Sequence, residues 1–180
     1  MIGKRTGQAA MEYLMTYGWA LLVIVVVIAI LLVMNPFSAP QSCKFDSVGF
    51  VCDAPAIGTD GYLFMKLTNG NNNAINLFGV KCTQAKTNAA PDFTAPTDPL
   101  KMVQRQDYYQ INSTNKVQCT DANGNKLTSI ASGTDFSGKI WVYYRNTEDG
   151  SDYPMRTASA TIVTKVVGTS STVTPPNNDV

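Results

Sequence analysis

Between Gly18 and Met34 the chain carries no charged side chain. The apolar run begins at Leu14, broken by little more than Thr16 and Tyr17. At 1.5 Å per residue it spans about 30 Å, the thickness of a bilayer's hydrocarbon core. Its centre, Val23-Ile24-Val25-Val26-Val27-Ile28, is β-branched. In lipid the backbone must satisfy its own hydrogen bonds, so the run is expected to be helical regardless. Asn35-Pro36 supplies the stop, because the residue before proline avoids the α region. A segment of this kind cannot join a water-soluble core, so the remaining chain must fold as a separate body of ordinary domain size.

Three readings compete for the run. A removable secretory signal fits poorly: the stretch exceeds a usual h-region, no Ala-x-Ala site follows, and Ser38-Ala39 is followed by Pro40. A plain anchor accounts for more, with Lys4 and Arg5 marking the cytoplasmic side and the body facing outward. It does not account for Glu12, a carboxylate at the lip of the apolar segment. Such a group is costly unless it reaches water or finds a partner. The third reading supplies that partner from another copy of the chain.

The stretch Gly7-Gln8-Ala9-Ala10-Met11-Glu12-Tyr13-Leu14-Met15-Thr16-Tyr17-Gly18-Trp19 resembles the class III signal peptide of archaeal type IV pilin-like proteins. In that family a basic leader ends in a small residue, a membrane prepilin peptidase cuts before a glutamine, and a glutamate stands at the lip of the hydrophobic segment. The resemblance implies that Lys4 and Arg5 are leader charges, Gly7–Gln8 is the scissile bond and Glu12 is an assembly residue. The phenylalanine that follows the cut in bacterial pilins is absent. Cleavage there would retain the apolar helix and free an amino terminus to meet a neighbour's Glu12. If Gln8 cyclised, the Tyr13 or Tyr17 hydroxyl of a neighbour would have to serve instead. Gly18, Ala9, Ala10, Ala20 and Ala29 offer small residues for close helix packing. The resemblance covers the first 35 or so residues and is architectural beyond them.

Composition removes several functions. There is no histidine, which excludes Ser-His, Cys-His and His-metal chemistry. The balance of 14 basic and 13 acidic residues gives no basic face for nucleic acid. No phosphate-binding glycine loop or ligand cluster is present, so no catalytic residue, metal or cofactor is expected. An anchored enzyme would need an acid pair brought together by folding.

All four cysteines follow the apolar run, and two disulfides are the economical reading for an extracellular body. Cys43 and Cys52 flank a short loop and are read as a local pair. The rival is that each pairs further afield. Cys82–Cys119 follows by elimination. Pro36 and Pro40 make residues 35–42 a stiff linker. Residues 55–61 read as a turn. Residues 62–68 and 74–83 read as a hairpin about the loop Asn69 to Asn73, with a bulge at Gly79. Residues 84–99, rich in Ala, Thr and Pro, read as a long surface loop where binding function would sit. Weak strands are expected at 100–104, 108–111 and 116–119. Asn112-Ser113-Thr114 is a glycosylation sequon in a polar turn. Residues 121–124 read as a turn, lacking the spacing of a calcium loop.

The clearest strands come last. In 138–145, Ile140, Val142 and Tyr144 alternate with Trp141 and Tyr143. In 155–167, Ala158, Ala160, Ile162 and Val166 share one face, and Thr157, Ser159, Thr161 and Lys165 the other. About seven short strands suggest an antiparallel, Ig-like β-sandwich.

The expected architecture is an α+β lollipop. It comprises a leader over 1–7 that is removed, a transmembrane or filament-core helix over 8–34, a linker over 35–42, an extracellular β-domain over 43–167 and a flexible tail over 168–180. The resemblance implies a pilin of an extracellular type IV pilus-like filament serving adhesion or cell–cell contact. Its partners would be copies of itself, the membrane before assembly, a prepilin peptidase and the pilus assembly platform. The alternative is a non-polymerising, membrane-anchored binding module or minor pilin.

Overall fold

The computed structural model describes residues 6–34 and 40–168, in two compact units that divide between Ser38 and Ala39. The expected leader charges Lys4 and Arg5, most of the linker (35–39) and all but the first residue of the tail (169–180) lie outside the described residues.

The first unit is one helix, α1, Thr6–Met34, which begins two residues before the expected start. Its apolar side chains are spread all round the axis rather than along one stripe, as a lipid-facing or bundle-core helix requires. Within it, Met11–Val33 is long and apolar enough to cross a membrane. From Leu21 to Val33 every large apolar side chain is at least 43% exposed.

The second unit is built of nine strands: β1 (Ser42–Phe45), β2 (Phe50–Gly58), β3 (Tyr62–Asn69), β4 (Ile75–Thr83), β5 (Lys101–Val103), β6 (Tyr108–Ile111), β7 (Val117–Thr120), β8 (Asp135–Asn146) and β9 (Arg156–Val167). A two-layer sandwich was the expectation. The ladder instead closes into a barrel, running β9–β8–β4–β7–β3–β2 and back to β9. Strands β1, β6 and β5 add to β9, β3 and β4. Closure happens at two parallel seams, each only two residue pairs long. They are Ile57↔Val166 with Gly58↔Val167, and Cys82↔Cys119 with Thr83↔Thr120. Closing the ladder pairs strand edges that an open sandwich leaves exposed.

The expected hairpin is absent. Strands β3 and β4 do not pair with each other: β3 pairs with β2, β6 and β7, while β4 pairs with β5, β7 and β8. The Asn-rich connection is a crossover, held by Asn69, which is 1% exposed. Its Nδ2 donates to Val103 O (3.1 Å) and Asn73 O (3.0 Å), and its Oδ1 accepts from Asn71 N (3.0 Å). These bonds fasten the crossover to the end of β5 instead of folding it back on β3.

The expected turn at 55–61 is also displaced, since β2 runs to Gly58. The register shifts between Asp53 and Ala56. Pro55 falls inside that irregularity, where a residue with no N–H costs the ladder nothing. Its carbonyl accepts the Thr164 hydroxyl at 2.7 Å. Thr164 points inward on β9 and is 1% exposed, so this bond satisfies a buried hydroxyl. A bulge does occur at Gly79, with the β4–β8 register shifting between Leu77 and Gly79.

Period-two alternation fills the barrel. Ala158, Ala160, Ile162 and Val166 of β9 face Ile140, Val142 and Phe136 of β8 and Leu63, Met65 and Leu67 of β3 in one buried cluster. Phe78, Trp141 and Tyr143 are buried outside that cluster. Residues 84–99 form a largely exposed loop, as expected, and its middle straps this outer layer. Phe93 stacks on Tyr143 with ring centroids 4.1 Å apart, and the Tyr143 hydroxyl donates to Pro91 O at 2.6 Å. Lys81 donates to Asp92 O, and Lys139 Nζ donates to Asn88 Oδ1 at 2.7 Å. Gly79 makes room for the strap: a Cβ there would strike the Phe93 ring.

Candidate functional site

The expected processing and assembly residues all lie at the start of α1. The Gly7–Gln8 bond falls within the first turn. One turn on, Glu12 is exposed, and its carboxylate makes no hydrogen bond or ion pair among the described residues. Only its backbone carbonyl is engaged, accepting the Thr16 hydroxyl at 2.6 Å. Glu12, Thr16 and Trp19 follow i, i+4, i+7 spacing, which puts them on one stripe. With Tyr13 and Met15 they line a shallow groove on the helix surface. Tyr13 and Tyr17 stack at 5.4 Å between centroids, leaving two phenols side by side above the apolar run. The helix end therefore presents a carboxylate, a tryptophan and stacked phenols, groups suited to a membrane interface or to another helix end.

The β-domain holds the other expected sites. Cys43 is joined to Cys52, and Cys82 to Cys119, with Cα separations of 6.0 and 4.4 Å. Their positions relate to the barrel's closure. Cys82 and Cys119 are register partners in one seam. Cys43 lies on β1, opposite Ile162 of β9, and Cys52 lies on β2, so this bridge joins two strands that each pair with β9. Asn112 starts the turn between β6 and β7. Its Oδ1 accepts the backbone N–H of Thr114 (2.9 Å) and of Asn115 (3.2 Å), and Ser113 and Thr114 are exposed.

In the turn after β7, Asp121 Oδ1 accepts from Asn123 N and Asn125 N, both at 2.8 Å, and Oδ2 from Asn125 Nδ2 at 3.0 Å. The Asn125 amide and these backbone N–H groups hold the Asp121 carboxyl below its ordinary value. Its oxygens are thus engaged by its own loop. Burial pushes the Tyr143 phenol upward, helped by the negative charge of Asp92. No group of three or more His, Cys, Asp or Glu side chains is placed to hold a metal among the described residues.

A cleft that the sequence did not announce lies between the strap and β7. It measures about 730 Å³ and is lined by Asp92, Lys116, Gln118, Asn123 and Trp141 among others. One signal was available: Phe93 is the lone aromatic in a loop of Ala, Thr, Pro and Asp, and an aromatic there needs a surface to pack on. Which surface it finds depends on the β4–β8 pairing, which periodicity does not specify. The chain matches no family model, no curated protein and no solved structure.

Proposed function

We propose that the chain is a pilin: a structural subunit of an extracellular type IV pilus-like filament, with helices bundled in the core and β-domains outside, serving surface adhesion or cell–cell contact. Glu12 carries this reading. It is an exposed carboxylate at the lip of a helix otherwise uncharged to its end, and it has no partner of its own among the described residues. A simple anchor has no use for it there. A neighbouring copy that brings an amino terminus to Glu12 gives it a counter-charge as the helix leaves lipid for the bundle. The separate β-barrel, with its own core and two disulfides, suits a coat exposed to an oxidising exterior. In this reading the precursor sits in the membrane, a prepilin peptidase cuts Gly7–Gln8, and an assembly platform extracts the helix into the filament.

The test is the amino-terminal residue of the mature protein, read by mass spectrometry. Gln8, unmodified or cyclised, is expected. Gly7→Phe should leave the precursor uncut, and Glu12→Ala should insert normally yet yield few filaments. Monomer alone at the cell surface, with Gly7 still joined to Gln8, would favour a non-polymerising anchored module.

A further inference from the structure

The sequon Asn112-Ser113-Thr114 has no part in the filament, and the barrel holds it out from its wall. Ile111 of β6 pairs with Met65 of β3, and Val117 of β7 pairs with Leu63 of the same strand. Phe64 alone separates those two positions on β3. Residues 112–116 therefore have no place in the ladder and loop outward. Every residue from Ser113 to Lys116 is exposed, although Ile111 at the base of the turn is fully buried.

One atom closes this turn. Asn112 Oδ1 accepts from both Thr114 N and Asn115 N, while Asn112 Nδ2 makes no hydrogen bond among the described residues. Other loop asparagines spend that nitrogen on structure. Nδ2 of Asn69 donates to Val103 O, that of Asn71 to Gly49 O, that of Asn73 to Glu148 Oε2 and that of Asn125 to Asp121 Oδ2. A bulky substituent on any of these would crowd a bond that holds a loop. On Asn112 Nδ2 it would replace one of two free hydrogens and leave Oδ1 with both its donors.

The Thr114 hydroxyl is likewise exposed and unbonded among the described residues. Asn123 offers the informative contrast. Its side-chain amide is also exposed and unbonded among the described residues, but the residue two places on is Asn125, which has no hydroxyl. No asparagine in the sequence except Asn112 has Ser or Thr two places on. A free amide nitrogen and a free hydroxyl at the acceptor spacing thus coincide at this turn.

We infer that Asn112 carries an N-linked sugar chain, transferred outside the cell from a lipid-phosphate-linked saccharide. In that step Asn112 Nδ2 forms a bond to the anomeric carbon C1 of the sugar. The bond from C1 to the phosphate oxygen breaks, the lipid phosphate leaves with the electron pair, and Nδ2 gives up one proton. Nothing is oxidised or reduced. The inference rests on the proposed function only for placing the β-domain outside the cell, and it requires neither cleavage at Gly7–Gln8 nor polymerisation.

The experiment is peptide mass spectrometry of the full chain purified from the cells that make it. Trypsin cuts after Arg105 and Lys116 and releases Gln106–Lys116 with the sequon inside. Electron-transfer fragmentation should place a saccharide mass on Asn112 and none on Ser113, Thr114 or Asn115. Thr114→Ala keeps the backbone N–H that closes the turn, so it tests the hydroxyl without disturbing the fold. It should lower occupancy about tenfold or more, whereas Thr114→Ser, which keeps a hydroxyl, should remain glycosylated. A bare peptide from the wild-type chain overturns the inference. So does sugar attached to the Ser113 or Thr114 oxygen, or occupancy that Thr114→Ala leaves unchanged. The amino terminus of the same preparation is read separately. A chain that begins at Gln8 with Asn112 bare overturns this inference and leaves the filament standing. Glycosylated Asn112 on a chain with Gly7–Gln8 intact upholds this inference and counts against the filament.

Discussion

In the barrel, Ile111, Ile140 and Ile162 have no exposed surface; in the helix, Ile24, Ile28 and Ile30 are each half or more exposed. The same side chain is therefore worth very different amounts in the two units. Burying an isoleucine stabilises by roughly 1.5–3 kcal/mol, and the barrel realises that gain from its own strands. The helix leaves the same gain unrealised along its apolar length. The barrel is complete as a single chain, whereas the helix is stable only in an apolar environment provided by something else. Lipid and other helices are the two such environments the proposed function invokes.

One substitution made in both units tests this contrast most severely. Ile140→Asp places a carboxylate in the centre of the barrel, where an unpaired charge costs more than about 4 kcal/mol. The near-ultraviolet dichroism of the barrel aromatics should collapse. Ile28→Asp should cost about 2.5–3.5 kcal/mol of membrane insertion and leave the barrel's unfolding midpoint unchanged. Carbonate extraction reads the first effect and denaturant titration the second. A shift in the barrel midpoint caused by Ile28→Asp would mean that the two units are not independent.

The same contrast explains what the sequence could disclose. The helix was legible almost to the residue, because a long uncharged run needs no tertiary context to be recognised and the lipid criterion is one of length and composition. Strand β9 was legible too: its small and branched residues alternate, and its partners line a single core. The two-sided burial of β8 was not. Tyr143 is covered by Phe93 and Pro91, some fifty residues earlier, and nothing periodic links them. Asn-rich turns serve hairpins and crossovers alike, and between β3 and β4 the Asn69 bonds to the end of β5 decide for the crossover. Barrel closure rests on two seams of two pairs each, too short to leave any pattern. The cleft follows from one of those seams and was hidden with it.

The disulfides sharpen the comparison on the barrel side with a smaller expected effect. The Cys82–Cys119 bridge spans a sequence separation of 37, and Cys43–Cys52 one of 9. Loop-closure entropy assigns them about 4 and about 3 kcal/mol respectively. Cys82–Cys119 joins the two strands of one seam and Cys43–Cys52 joins β1 to β2, so the paired replacements, Cys82→Ser with Cys119→Ser or Cys43→Ser with Cys52→Ser, release one of these links at a time. Guanidinium unfolding of the full chain in micelles should show the larger loss for the first pair. The far-ultraviolet helix signal should persist in both. Equal losses would indicate that native contacts around the bridges, and not loop length, set the difference.

The smallest effect concerns carboxylates, where the two units again differ. The Glu12 carboxylate on the helix takes no hydrogen bond among the described residues, whereas the Asp121 carboxylate in the barrel accepts three from its own turn. Those donors favour the ionised form, which is why the Asp121 carboxyl lies below its ordinary value of 3.8. A carboxyl more acidic folded than unfolded contributes stability above its unfolded value, and this contribution disappears as pH falls through the folded one. Asp121→Asn retains an oxygen for the backbone N–H groups but cannot ionise. Wild type should therefore melt slightly above Asp121→Asn at neutral pH, and the gap should close as the pH is lowered below the ordinary carboxylate value. The side chain is at the surface, so added salt should narrow the gap even at neutral pH. A gap that stays constant down through the acid range would assign the turn's stability to the neutral hydrogen-bond geometry alone. In that case the barrel's self-sufficiency would extend to its backbone and core but not to its charges.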